Sequence, residues 1–264
     1  MERSRYQSCR AMVSRGAQLY KSAIERKTSA GTRGATGSKV VTAALAKKGW
    51  VWKRLRYSPP QPRDAAYQGA KYADWLTLKL WATCQLICLK YLDESGFERT
   101  SRLGYSYIRR GQQKPIYQPR QRGRRISVLG LWQPKASFEY GMVVGGFNTK
   151  RYLKLMEWQA SKAEQHLAQA GQITVIIQDG ASFHKSLAVQ QHWRRWQQQG
   201  LFLFFLPPYS PQMNRIEEEW LHLKREQLAS QVFEDEYEVV KALIDGIEAR
   251  GQRGGYEVER FRFN

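Results

Sequence analysis

Two acidic side chains stand where a chain of this pattern brings chemistry together. Asp179 follows the apolar, β-branched run of residues 173–177 and precedes Gly180, and Glu217 stands early in a helix-like pattern over residues 214–229. Carboxylates are the oxygen ligands that a hard divalent cation prefers. The elements around them read as follows. Residues 173–177 form a strand buried on both faces of a mixed or parallel sheet. Residues 187–199 form a helix stopped by Gly200. Residues 201–206 form a second buried strand, ended by Pro207-Pro208. The last helix places Ile216, Trp220 and Leu223 on one face. This order carries Asp179 to the carboxyl end of a strand, where open α/β sheets place their sites. Spacing does not say whether Glu217 faces it. Nor does position choose among Glu217, Glu218 and Glu219, and Asn214-x-x-Glu217 has the spacing of a capping box, in which the glutamate only closes the helix start.

The text LPPYSPQMNRIEEEW, preceded by QDGASFH, resembles the catalytic core of DDE transposases, in particular the mariner-like superfamily and its bacterial insertion-sequence-six-thirty branch. The resemblance runs from roughly residue 39 to the C-terminus. It implies an α/β, RNase H-like mixed sheet flanked by helices, and a third acid upstream. The family's first aspartate matches Asp93, in LICLKYLDESGF. Asp93, Asp179 and Glu217 are then the catalytic and metal-binding set for two Mg²⁺ ions, with Mn²⁺ as substitute, Asp93 bridging both. The implied reaction is strand cleavage and strand transfer on double-stranded DNA, at the terminal inverted repeats of an element and at a target, by a homodimer in the cytoplasm. His184 matches a family histidine that could contact phosphate or orient a water. Gly180, Arg215 and Met213 depart from the asparagine, proline and leucine common there, but none removes an acid. A DNA-binding relic without catalysis is the runner-up, because the first recognition module of the family has no counterpart here. A nuclease or junction resolvase of the same fold comes third, and the Pro-Pro-Tyr-Ser-Pro motif argues against it.

Charge points the same way. The chain has 264 residues and a formal net charge of +20, unevenly spread: residues 1–63 hold 15 Lys/Arg against 2 Asp/Glu. Such an excess fits a polyanion, with nucleic acid ahead of an anionic membrane. No uncharged apolar run reaches membrane-spanning length, and no signal peptide opens the sequence. Cys9, Cys84 and Cys88 make neither a disulfide framework nor a zinc pattern and read as reduced thiols.

The elements that must position the acids fall into three parts. Residues 1–63 read as a partial helix-turn-helix or winged-helix-like module, with Lys39, Lys47, Lys48, Lys53, Arg54 and Arg56 as its DNA-binding candidates. Residues 64–85 read as a connecting helix, and residues 86–264 as the catalytic domain. Its first strand is expected over residues 86–93, ending in an Asp93-Glu94-Ser95-Gly96 turn. Short strands around residues 105–109, 126–132 and 138–147 follow. Between Arg99 and Arg125 the chain has nine Lys/Arg and no acid. There Arg109, Arg110, Arg122, Arg124 and Arg125 are candidates for phosphate contact, with Tyr105, Tyr107 and Tyr117 for base stacking. A solvated, charged edge is the alternative. Residues 150–170 form an amphipathic helix ended by Gly171, and residues 234–250 another, before a short final run.

Overall fold

A computed structural model describes residues 64–100, 110, 123–208 and 210–263, all within the compact unit Pro59–Asn264. In chain order the elements are α1 (Ala65–Thr83), β1 (Ile87–Phe97), β2 (Ile126–Gln133), β3 (Ser137–Val144), α2 (Thr149–Ala170), β4 (Ile173–Gln178), α3 (Leu187–Gln198), β5 (Leu201–Phe205), α4 (Ile216–His222), α5 (Glu236–Gly254) and β6 (Glu257–Phe261). The basic module, the strand expected around residues 105–109 and the three tyrosines near it lie outside the described residues. So do Lys39, Lys47, Lys48, Lys53, Arg54, Arg56, Arg109 and Arg122.

The strands form one six-stranded mixed sheet in the order β5-β4-β1-β2-β3-β6. β4 lies parallel to β1 and to β5, and β1, β2 and β3 make an antiparallel meander. β6 pairs parallel to β3, so the final run extends the sheet. The expected helices are present and carry the caps their sequences announce. The Asp64 side chain accepts the Tyr67 N–H at 3.0 Å to start α1, Asn148 does the same for α2, and Gly171 ends α2 in the left-handed region at φ 67°.

Three boundaries differ from the sequence reading. β1 does not turn at Asp93; it continues to Phe97, with Asp93 opposite Gly130 of β2. Its parallel partner β4 stops pairing at Tyr91↔Ile177, but β2 runs on beside it, and that ladder holds the acidic segment extended. The last helix of the motif is also shorter. A 3-10 turn, Pro211–Met213, leads into α4, and a π-helical segment, Leu223–Gln227, follows it. α5 in turn runs through the glycine-containing stretch to Gly254 before Gly255 caps it at φ 64°.

Side chains alternate across the sheet and divide the core in two. Leu89, Tyr91 and Phe97 of β1 pack on the face covered by α4 and α5, with Ile216, Trp220, Leu243 and Ile247. Leu92 faces the other way, into Leu129, Leu131, Tyr152, Leu155, Met156 and Trp196 beneath α2 and α3. The alternation therefore puts Asp93 on the α4 face. Cys88 is a buried free thiol, pushed up by its burial, and Cys84 is an exposed one. Among the described residues no helix is long and apolar enough to cross a membrane.

Candidate active site

One aromatic side chain decides how α4 docks. Gly130 stands opposite Asp93 in the β1–β2 ladder, and a Cβ there would lie 2.7 Å from the Trp220 ring. The missing side chain is the notch that admits the indole. Phe138 and Phe97 then hold it edge-on, at centroid separations of 5.5 and 6.3 Å. Burying such a ring contributes several kcal/mol, ~3–5 by the cost of truncating one. Trp220 is one turn along α4 from Glu217, so the glutamate is carried to the end of β1 that bears Asp93.

The three acids of the matched set line one open cleft of about 630 Å³, with Gly180, Ala181, Lys185, the Pro207-Pro208 and Pro211 prolines, Asn214 and Tyr67 of α1. Burial, then the neighbouring Glu217 and then Asp179, push the Asp93 carboxyl up to about 7. Burial raises Glu217 as well. Asp179 goes the other way: a hydrogen bond from His184 holds it below the usual carboxylate range, and the Ala181 N–H adds to the effect. Both contacts, at 2.9 and 3.1 Å, go to Oδ1, so neither uses Oδ2. Among the described residues no three His, Cys, Asp or Glu side chains close into a formed metal cage. The acids face an open basin instead.

The three adjacent glutamates take three different places. Glu219 is buried and turned toward α5, where Arg250 grips it with both arms of its guanidinium, at 2.7 and 3.0 Å, and the Tyr256 hydroxyl donates at 3.1 Å. That is a tie between two helices. Glu218 is exposed, and of the three only Glu217 lines the cleft. The capping-box alternative fails, because no side chain caps α4. The Asn214 amide instead donates to the Leu92 carbonyl at 3.1 Å, fixing the loop to the strand residue before Asp93.

The remaining candidates are scattered. His184 is not a surface group: it is only 2% exposed, edge-on to Phe183 and tilted against Tyr152, with Nδ1 on the Asp179 carboxylate and Nε2 without a hydrogen-bond partner among the described residues. Arg124 and Arg125 lead into β2, beside the extension of β1 beyond Asp93. The Arg124 N–H donates to Glu236 at 2.7 Å, and the Arg125 guanidinium, 3.7 Å from Glu94, lies across Gly96. Arg110 is exposed. The structure brings none of the three arginines to the lining of the carboxylate cleft. Sequence reasoning missed Lys185 and Tyr67. Lys185 was within reach of it, one residue past His184. Tyr67, in the first turn of a helix remote in sequence from the motif, carried no signal.

The family model for the DDE superfamily endonuclease matches residues 89–240, more than half of the chain and all three acids of the cleft. The chain belongs to the DDE superfamily endonucleases. No curated protein matches it. Among solved structures, a Mos1 transposase paired-end complex with the left transposon end is similar at 17% identity and a TM-score of 0.54, over 82% of this chain and 68% of that one. A Mos1 mariner paired-end complex with Mn is similar at 16% identity and 0.56, over 89% and 75%. A third, with Mg, gives 20% and 0.55, over 82% and 66%. At these identities the likeness establishes the RNase H-like fold of a DDE domain, which is what the sheet order and flanking helices of this endonuclease-family chain display.

Proposed function

We propose that this DDE-family chain is a transposase of the mariner-like superfamily, of its insertion-sequence-six-thirty branch, which cleaves and joins DNA strands at the ends of a mobile element in the bacterial cytoplasm. Asp93, Asp179 and Glu217 are its catalytic carboxylates. The observation that carries the reading is their convergence on one cleft, from a strand, the turn after a second strand and a helix.

The residues fit divalent metal. The donors are all carboxylate oxygens, as Mg²⁺ or Mn²⁺ requires, and the open basin leaves room for water and phosphate. Burial, and after it repulsion from Glu217 and Asp179, lifts the Asp93 carboxyl, and a bound cation would relieve both. Asp93, Asp179 and Glu217 would hold the ions, which would supply Lewis-acid stabilisation of the attacking and leaving oxygens in phosphodiester displacement. The protein's own part is to hold the ligands still. Trp220 in its Gly130 notch fixes the helix that carries Glu217, Asn214 ties the proline loop to β1, and His184 orients Asp179 through one oxygen while leaving the other for the metal. Complexes of Mos1 transposase with transposon ends, with Mn and with Mg, support the choice of substrate and metal. Double-stranded DNA is thus the partner, bound by a homodimer, with Arg110, Arg124 and Arg125 among its phosphate contacts.

The test is strand cleavage of a labelled duplex carrying the repeats that flank the locus, in Mg²⁺ or Mn²⁺. Metal-dependent cuts at the repeat end that vanish in Asp179→Asn are expected. Cuts that survive in that variant would place the active site elsewhere, and binding without cutting by the wild type would favour a relic.

A further inference from the structure

Lys185 takes no part in the reading above, and its placement gives it one. It ends the 3-10 turn Ser182–Lys185 that follows Asp179, is exposed, and lines the same cleft as the three acids. Its ammonium stands 4.7 Å from the centre of the Phe205 ring. Among the described residues it closes no ion pair within 4 Å, although its charge helps to hold the Asp179 carboxyl down and three carboxylates share its cleft.

Gly180 makes this pose possible. A Cβ at that position would lie 2.8 Å from the Lys185 Nζ and 3.5 Å from its Cε, and would meet nothing else within 4 Å. Gly180 is not among the glycines with positive φ, so the backbone there does not demand glycine. What an added methyl would take away is the space for the ammonium. The displaced atom is the end of a flexible side chain, so a methyl would move the charge at little cost to the fold.

A basin of three acids repels a polyanion, and a cation on its wall that is locked into no close ion pair can meet one. We infer that Lys185 binds a backbone phosphate of the DNA strand lying in the cleft, and that Gly180 keeps the space its ammonium needs. The inference rests on the DNA-cleaving reading of the cleft. Lysine suits the task as a compact, strongly hydrated point charge.

The experiment uses the full chain, a labelled duplex with a 3′ overhang, and binding measured from ~50 to 200 mM salt, alongside cleavage of the flanking-repeat duplex. Lys185→Met keeps the aliphatic stem over Phe205 and removes the charge. It is expected to make the salt slope shallower by about one phosphate contact. Cleavage kcat/KM falls roughly 10- to 100-fold, the worth of a charge-assisted hydrogen bond. Lys185→Arg recovers most of both. Gly180→Ala reproduces the loss at an unchanged melting temperature, and adding it to Lys185→Met costs nothing further. A Lys185→Met protein with wild-type salt slope and cleavage overturns the inference. So does an unchanged slope with a reduced metal requirement, which would make Lys185 a counter-ion to the acids. If the wild type binds but never cuts, the cleavage reading fails, and the salt slope still decides for or against Lys185.

Discussion

Lys90 and Asp93 lie three residues apart on β1, on opposite faces of the sheet, and their charges are handled in opposite ways. Lys90 is buried against α2, where its ammonium donates to Glu139 at 2.8 Å and to Gln159 at 2.9 Å. Lys162 of α2 donates to the other Glu139 oxygen at 2.7 Å and also meets Glu259 of β6. Burial alone would raise the Glu139 carboxyl, but Lys90 and Lys162 outweigh it and hold it below its ordinary range. Asp93 is half-buried on the wall of the cleft, and burial first, then the neighbouring Glu217 and Asp179, push its carboxyl up to about 7. One cluster balances its charges within the chain alone. The other gathers carboxylates that raise one another, and the comparison separates a structural charge network from the candidate site.

The largest effect expected is on the carboxylate cluster. Asp93→Asn and Glu217→Gln each lower strand cleavage by at least roughly 10³-fold. They do so without unfolding the protein, and Asp93→Asn melts a few degrees higher, because the repulsion it removes stabilised nothing. Thermal melting and the cleavage assay on the same preparations check both halves.

The charge-balanced cluster breaks the other way. Glu139→Gln leaves the buried Lys90 ammonium without its counter-ion beneath α2, while Lys162 keeps Glu259, and is expected to cost about 3–5 kcal/mol in urea unfolding, while folded protein still cuts. Acidification sharpens the point. The folded Glu139 carboxyl sits below its unfolded value of ~4.3, so its contribution is full above that value and is lost as pH falls through the lower folded one. Burial alone would lower Lys162, but Glu139 and Glu259 raise it above its ordinary value of ~10.4. Its share is therefore present below that value and lost as pH rises past the folded one. Urea midpoints of the wild type are expected to fall more steeply below about pH 4 than those of Glu139→Gln.

The smallest effects come from the neighbouring glutamates. Glu219→Gln weakens the fork to Arg250 and costs about 1–3 kcal/mol in the same unfolding assay, because the guanidinium is left half-buried. Glu218→Gln, on an exposed side chain, changes stability by less than about 0.5 kcal/mol. A Glu218→Gln variant that lost cleavage would show that the wrong glutamate has been assigned to the cleft.

The strands and helices of the motif were legible because their signals are local: apolar runs, proline stops, glycine caps. Asp179 and Glu217 stood out as residue types and Asp93 came from the family resemblance; the structure sets all three on one cleft. What spacing could not give was long-range. β1 runs through Asp93 because β2 pairs with it across more than thirty residues of chain, and no turn signal in Asp93-Glu94-Ser95-Gly96 outweighs that ladder. Likewise the choice of Glu217 over Glu219 depends on Trp220 finding Gly130 and on Arg250 arriving from α5. β6 was too short and polar to announce itself, with only Val258 and Phe261 half-buried.

The central claim, that the carboxylate cleft is completed by divalent cations, is tested most directly by melting temperature against Mn²⁺ concentration, with no DNA present. A ligand that binds only the folded state raises stability by ~2.7 kcal/mol at a hundred times its Kd. The wild type is expected to gain several degrees, and Asp93→Asn and Glu217→Gln to gain almost none. Glu139→Gln starts lower and is expected to gain as much as the wild type. A wild-type melting temperature indifferent to Mn²⁺ and Mg²⁺, or a gain that persists in Asp93→Asn and Glu217→Gln, would contradict the account.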